Sequence, residues 1–138
     1  MPFDAVLPRP DIVIGEEDRA LVHRVLTEVN RDGFSSAAVL LQQELARARV
    51  VAAGAVPPSV VTLGTRFLYR DHEGEATRAV TLVAPGHARY GDTNISIMTL
   101  LGAALLGLSE GQSIGFRSLA GRIRTVSVLG ILARAGEG

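Results

Sequence analysis

The 138-residue sequence predicts an α+β fold, an N-terminal antiparallel helical hairpin followed by a small antiparallel-sheet domain with a short helix. Three observations predict it. Apolar residues recur at spacings of three and four before residue 50, Ala52–Ser59 breaks that pattern with Gly54, Pro57 and Pro58, and from Val60 the period moves toward two. The boundary therefore lies after Val56, giving a lead-in and hairpin over residues 1–56 and a second domain over 57–138. A chain of 14.6 kDa buries roughly two-thirds of its unfolded surface, enough for one core with an arm and too little for two full-sized domains.

Pro2, Pro8 and Pro10 interrupt regular structure before Asp11, and Ile12-Val13-Ile14 favours a short strand or an apolar lead-in. Glu16, Glu17 and Asp18 put negative charge at the positive end of a helix expected over 16–30. Leu21, Val22, Val25, Leu26 and Val29 form its apolar stripe, leaving His23 on the wetter side. Asn30-Arg31-Asp32-Gly33 is a turn, after which Ser35 or Ser36 caps a second helix. Leu41, Leu45 and Ala48, broadened by Leu40, line its buried face, with Gln42, Gln43, Glu44, Arg47 and Arg49 solvated. The two stripes are expected to bury one another. Helices of this length are marginal alone, so the pair leans on the rest of the chain or on another molecule.

In the second domain Arg66, Leu68 and Arg70 alternate against Phe67 and Tyr69, and Asp71-His72-Glu73-Gly74 turns the chain into a strand over 75–83. Arg78 on that strand requires a strand end or a wet edge. Arg89–Asn94 reads as a loop, Ile95–Met98 as a short extended stretch, and Leu100–Leu108 as a short buried helix. Ile114–Phe116 and Ile123–Leu132 form two antiparallel strands around Leu119-Ala120-Gly121, and the last four to six residues fray. Short strands with turn-rich joints oppose a parallel dinucleotide-binding sheet.

Composition excludes several chemistries. All fourteen basic residues are Arg, so neither a Schiff-base lysine nor a phosphate-loop lysine is available. Zero cysteines remove disulfides, thiolate catalysis and Cys-containing zinc sites. Fourteen acidic residues balance the arginines, which opposes wholesale wrapping of nucleic acid. No leader pattern or long apolar run is present, so the expected location is the cytoplasm, with no membrane partner.

The search for a catalytic constellation returns ordinary explanations. His23, His72 and His87 lack metal-site spacing, so no metal or other cofactor is expected. Asp71, Glu73 and Glu75 invite a paired-carboxylate reading, but Asp71 and Glu73 straddle a surface turn, where carboxyls are expected to keep near-ordinary acidity. Ser35, Ser59, Ser96, Ser109 and Ser113 have no base at nucleophile spacing, and Gly102, Gly107, Gly111 and Gly115 serve close packing and turns. Arg117, Arg122 and Arg124 form the densest basic cluster. With few aromatic residues nearby, it suits a protein surface better than a stacking platform for single strands, and no direct sequence-specific nucleic-acid binding is expected. Asp32, at the hairpin tip, serves the turn or touches a partner.

The segment Asn94-Ile95-Ser96-Ile97-Met98-Thr99-Leu100-Leu101-Gly102-Ala103-Ala104-Leu105-Leu106-Gly107, with Gly111-Gln112 after it and Val60-Val61-Thr62-Leu63-Gly64-Thr65 ahead, carries a family resemblance. It resembles the C-terminal domain of the bacterial Gre transcript-cleavage factors, and more closely their short branch, the regulators of nucleoside diphosphate kinase. The likeness covers about residues 57–132 and is looser over the hairpin. It implies an FKBP-like C-terminal fold and bacterial RNA polymerase as partner, with that domain at the rim of the secondary channel and the helical arm directed at the opening.

In the cleavage factors a long coiled coil carries acidic tip residues that help bind catalytic magnesium. Here the arm is short and its turn offers only Asp32, so the resemblance implies a noncatalytic regulator. The alternatives are a Gre-type stimulator of transcript cleavage and an interaction module unrelated to polymerase. The resemblance assigns partner binding to Ile95, Ser96, Gly102, Ala103, Leu105, Leu106 and Gly107, some of them from inside the core; Asp32, Arg117 and Arg122 complete the expected contact set. The family usually has proline where this chain has Leu100, which relaxes a local φ constraint. The FKBP-like label does not bring prolyl-isomerase activity, because four Phe, two Tyr and no Trp furnish a poor aromatic pocket.

Overall fold

The computed structural model describes residues 9–29, 35–86 and 93–134. Strand β1 (Val13–Gly15) runs straight into helix α1 (Glu16–Val29), and α2 (Ser36–Arg47) leads into β2 (Arg49–Val51). A single 3₁₀ turn, Ala53–Ala55, precedes β3 (Arg66–Asp71), β4 (Ala76–Val83), β5 (Asn94–Ser96), α3 (Leu100–Leu105), β6 (Ser113–Arg117) and β7 (Ile123–Ala133). An α+β fold is therefore present, with a helical N-terminal region ahead of a sheet that carries one short helix.

The five-stranded sheet has the order β5-β4-β3-β7-β6. It is mixed, which corrects the expected all-antiparallel sheet: β5 lies parallel to β4, with Leu82 opposite Ile95. The connection between Val83 and Asn94 is far longer than the two-residue turn that would join antiparallel neighbours, so a parallel pairing is open to β5. The loop expected over Arg89–Asn94 lies largely outside the described residues, and its last residue, Asn94, begins β5. The other pairs are antiparallel, with Phe67 opposite Val80 and Ile114 opposite Val126. Alternation holds as predicted: Phe67, Tyr69, Val80 and Leu82 are buried, whereas Arg78 stands at the exposed beginning of β4. Two register shifts between β3 and β7 bracket Leu129 and Leu132, both exposed.

The N-terminal region differs from its prediction in three respects. β1 pairs in parallel with β2, Val13 opposite Arg49 and Gly15 opposite Val51, so the two helices are bracketed by a two-stranded sheet. β2 was expected to be the end of a helix; instead α2 stops at Arg47, Ala48 is extended at φ −70° and ψ 144°, and β-branched Val50 and Val51 continue the ladder. Second, α2 packs chiefly on α3, with a thinner contact to α1, so its stripe is buried by the C-terminal region more than by its hairpin partner. Third, Glu44 is only 2% exposed, not solvated. It lies one turn after buried Leu41, and Arg47 neutralises it through Nε at 2.5 Å and Nη2 at 2.9 Å. Ser35 caps α2 as expected, accepting from the Ala38 N–H at 3.0 Å.

One hydrophobic core runs through both regions. Ile12, Ile14, Val22, Leu26 and Leu41 belong to the same cluster as Phe67, Leu82, Leu105, Phe116 and Val126. The Asn30–Gly33 turn with Asp32, His87, and the C-terminal residues expected to fray from 135 onward lie outside the described residues. Among the described residues no helix is long and apolar enough to cross a membrane.

Candidate docking surface

The loop from β5 into α3 is built around Ser96 and Gly102. Ser96 Oγ accepts from the Met98 N–H at 3.0 Å, and the Ser96 carbonyl accepts from both the Thr99 hydroxyl at 2.7 Å and the Thr99 N–H at 3.1 Å. Thr99 Oγ1 in turn accepts from the Gly102 N–H at 3.0 Å, capping α3. A Cβ on Gly102 would lie 2.0 Å from the Ser96 carbonyl oxygen, so only glycine lets the helix approach the loop this closely. At the other end Gly107 takes φ +84°, donates to the Val61 carbonyl at 2.9 Å and accepts from the Val13 N–H at 3.1 Å. Residues 95–107 thus join β5, the N-terminal strand and the entry to the sheet.

The structure divides the predicted contact residues into two groups. Gly102, Ala103, Leu105, Leu106 and Gly107 are buried, so they shape the surface from beneath and offer no side chain to a partner. Ile95 and Ser96 are half-buried, and Arg117 and Arg122 are exposed. Arg122 pairs with Glu73 at 3.2 Å, and Arg117 donates to the Gly121 carbonyl at 3.1 Å.

Two adjoining cavities, about 620 Å³ and about 420 Å³, open beside this segment and share Ser35, Ser36, Leu100, Phe116 and Ser118. Together they form a trough between the start of α2, the start of α3 and the β6–β7 hairpin. Leu119, at the hairpin tip, lines it and is 84% exposed. Arg124 also lines it, with its guanidinium 5.5 Å from the centre of the Phe116 ring and hydrogen-bonded to Asp71. Burial alone would raise the Asp71 carboxyl, but its bonds to Arg124 and to the Glu73 N–H outweigh that and hold it below the ordinary range.

Of the trough residues, sequence reasoning singled out Arg117 and Arg124 as a basic cluster and missed Leu119 and Met98 as surface formers. An apolar residue at the tip of a tight turn, Leu119-Ala120-Gly121, was the available signal.

The two described histidines stand on different elements. His23 is exposed on α1, while His72 Nε2 lies 2.6 Å from Ser127 Oγ, which is 2.5 Å from Ser113 Oγ. Among the described residues no group of three His, Cys, Asp or Glu is placed to hold a metal ion.

Residues 56–133 match the family described as transcription elongation factor GreA/GreB, C-terminal. The chain belongs to that family. This Gre-family chain is 34% identical over 108 residues to the regulator of nucleoside diphosphate kinase of Escherichia coli strain K12, a match that spans 78% of this chain and 79% of the relative. The regulator of the same name in Shigella flexneri matches with the same figures. Among solved structures, the prokaryotic transcription elongation factor GreA/GreB from Nitrosomonas europaea superposes with a TM-score of 0.70 at 29% identity, covering 91% of this chain and all (100%) of that one.

Proposed function

We propose that this Gre-family chain is a noncatalytic regulator of transcription that binds bacterial RNA polymerase at the rim of its secondary channel. The observation that carries this reading is the match to chains named regulators over most of both lengths, together with a family match that covers the whole sheet region. On this reading residues 57–138 form an FKBP-like docking domain, and residues 1–56 form the unit directed at the channel. Ile95, Ser96, Arg117 and Arg122 belong to the contact surface, while Gly102, Ala103, Leu105, Leu106 and Gly107 hold its shape.

The helices favour regulation over transcript cleavage. At 1.5 Å per residue, the 14 residues of α1 and 12 of α2 span roughly 21 and 18 Å, and α2 is anchored on α3. Such an arm is short for carrying a carboxylate deep into another enzyme.

Co-elution with core RNA polymerase tests the reading. The complex should form at low salt and weaken toward physiological salt, since a charge-assisted interface is screened. Backtracked transcription complexes should show no added cleavage. Absence of binding at both salt concentrations would refute the proposal, and magnesium-dependent cleavage that is lost in Asp32→Asn would replace it with a cleavage-stimulating role.

A further inference from the structure

We infer that the cavity between α3 and the β3–β4–β5 side of the sheet is a binding site for a small carboxylic acid with an apolar body. The inference goes beyond the polymerase-binding reading and does not depend on it.

The cavity measures about 490 Å³, a size that holds a small molecule. Strand β3 lends it Tyr69, β4 lends Arg78 and Val80, β5 lends Ile95 and α3 lends Leu101, with Thr93 just ahead of β5. Asn94, also in the lining, already has a contact of its own.

The polar groups left for a ligand are donors. Tyr69 is 4% exposed, yet its hydroxyl has no hydrogen-bond partner among the described residues. The only sealed side-chain polar atom without a partner there is Arg70 Nε, so the Tyr69 hydroxyl opens onto the cavity it lines. A phenol buried so deeply is ordinarily bonded, and a free one beside a cavity marks where a ligand oxygen belongs. Burial raises the phenol above its ordinary pKa and outweighs the lowering by Arg78, so at neutral pH the group is a neutral O–H donor. Arg78 stands opposite Tyr69 in the β3–β4 register, which puts the two side chains next to one another on one face of the sheet. Thr93 Oγ1 accepts from Arg66 at 3.1 Å and keeps its own O–H to give.

No carboxylate neutralises these donors. Among the described residues Arg78 is the only charged member of the lining. Asp71, whose charge reaches Tyr69, is bonded to Arg124, which also acts on Tyr69 with the opposite sign. Glu73 pairs with Arg122 at 3.2 Å and Glu75 with Arg70 at 3.3 Å. Each acid of the β3–β4 turn thus has its own arginine, and Arg78, on the strand that follows, is in no ion pair among the described residues. Arg66 stands behind Thr93 and outside the lining. A guanidinium and a hydroxyl side by side suit a carboxylate, and Val80, Ile95 and Leu101 beside them cover an apolar body. One cation in the lining matches one negative charge, which favours a carboxylate over a phosphate dianion.

Titration of the full chain with phenylacetate, followed by NMR at neutral pH, tests the site. Phenylacetate should saturate it and shift the amides of Val80 and Ile95. Phenylacetamide, which keeps the shape and lacks the charge, should bind more weakly by about tenfold or more. R78Q should lose about tenfold in affinity for the acid and nothing for the amide, while R19Q, exposed on α1, binds as wild type. Y69F should lose about fivefold, and because the hydroxyl it removes is bonded to nothing in the free chain, it should keep the wild-type melting temperature. Failure of the acid to saturate, equal affinity for acid and amide, or displacement by an equal concentration of inorganic phosphate would overturn the proposal. So would wild-type affinity in R78Q or Y69F, or a loss in R19Q equal to that in R78Q. None of these measurements involves polymerase, so their failure would leave the regulatory reading standing.

Discussion

The region from residue 9 to 56 and the region from 57 to 134 solve the burial problem differently. The C-terminal region supplies most of its own packing: β3, β4, β6 and β7 place Phe67, Leu82, Phe116, Val126 and Val128 in the core together with Ala103, Ala104 and Leu105 of α3. In the N-terminal region two short helices flank a pair of three-residue strands, neither of which is stable alone. Its buried residues finish their packing elsewhere, α2 against α3 and Ile12 against Gly107. Its lead-in is pinned by side chains as well, with the Pro10 carbonyl accepting from Arg47 at 2.6 Å and the Asp11 carbonyl from Gln112 at 3.2 Å. The difference teaches that the helical region depends on the sheet region for its order.

The strongest way to break this asymmetry is Gly102→Ala. The new methyl would meet the Ser96 carbonyl at 2.0 Å, a backbone atom that cannot rotate away. We expect a loss of about 4 kcal/mol or more, in the range of severe core overpacking, and loss of both regions in one urea transition. Helical circular dichroism that survives after the sheet is lost would reverse the dependence.

Gly107→Ala attacks the seam itself. The position combines φ +84° with Ile12 Cβ at 3.1 Å and the Val13 carbonyl at 3.0 Å from the added atom. A cost of about 2–3 kcal/mol is expected. It should fall unequally: the amides of Val13, bonded to Gly107, and Arg49, bonded to Ile12, should lose hydrogen-exchange protection while those of β3 and β7 keep theirs. Equal loss in all four places would show that the chain unfolds only as a whole.

Glu44→Gln probes the N-terminal region from within. The hydrogen bond to Glu44 pushes Arg47 above its ordinary pKa against the opposing effect of burial; Gln removes that push, yet a guanidinium is not deprotonated near neutral pH, so a charged Arg47 then faces a neutral amide. Losing one charged hydrogen bond should cost about 1.5 kcal/mol by urea denaturation. The loosened Arg47 should also release its bond to the Pro10 carbonyl, which faster exchange in the lead-in would register.

The asymmetry also explains what could be read from the sequence. In the sheet region local pattern and tertiary demand agree: the alternation of Arg66–Arg70, the Asp71–Gly74 turn and the Ile123–Leu132 run all appear where expected. The parallel seat of β5 was hidden, because three residues carry no directional signal. In the helical region the demand came from outside the segment. Glu44 looked solvated because a charged residue on a helix usually is, and it is buried beside Arg47, with Ile12, Ile14 and Leu106 lining the same small cavity. β2 was invisible for the same reason, since its partner lies 36 residues earlier in the register of Val13 with Arg49. At the candidate site the motif located the loop and helix, but not that most of its residues are buried. Exposure there is set by the trough, whose Arg9 and Ser36 come from a part of the chain that the motif does not reach.

The smallest effects sharpen the comparison through pH. Asp18, in the helical region, accepts from the Leu63 N–H at 3.1 Å across the boundary. Burial raises its carboxyl, with Glu17 adding to the rise, while Leu63 and Arg134 oppose it. Its folded form therefore holds the proton more tightly than the unfolded chain, so its contribution is complete below the ordinary value of 3.8 and declines as pH climbs through the raised value. Asp71, in the sheet region, has the opposite sign: its contribution is complete above 3.8 and is lost as pH falls through the lowered value. At neutral pH Asp71→Asn should cost less than about 1 kcal/mol, the scale of a partly exposed ion pair. Asp18→Asn keeps an amide oxygen for Leu63 and removes a poorly solvated charge, so its melting temperature should match or slightly exceed that of the wild type. Melting curves from roughly pH 3 to 7 check both, because the gap between Asp18→Asn and wild type should move in favour of the variant as pH rises, while that for Asp71→Asn should close as pH falls. Parallel curves for the two variants would mean that the boundary hydrogen bond, and not burial, governs Asp18, and the helical region would then be held to the sheet by polar contact as much as by its shared core.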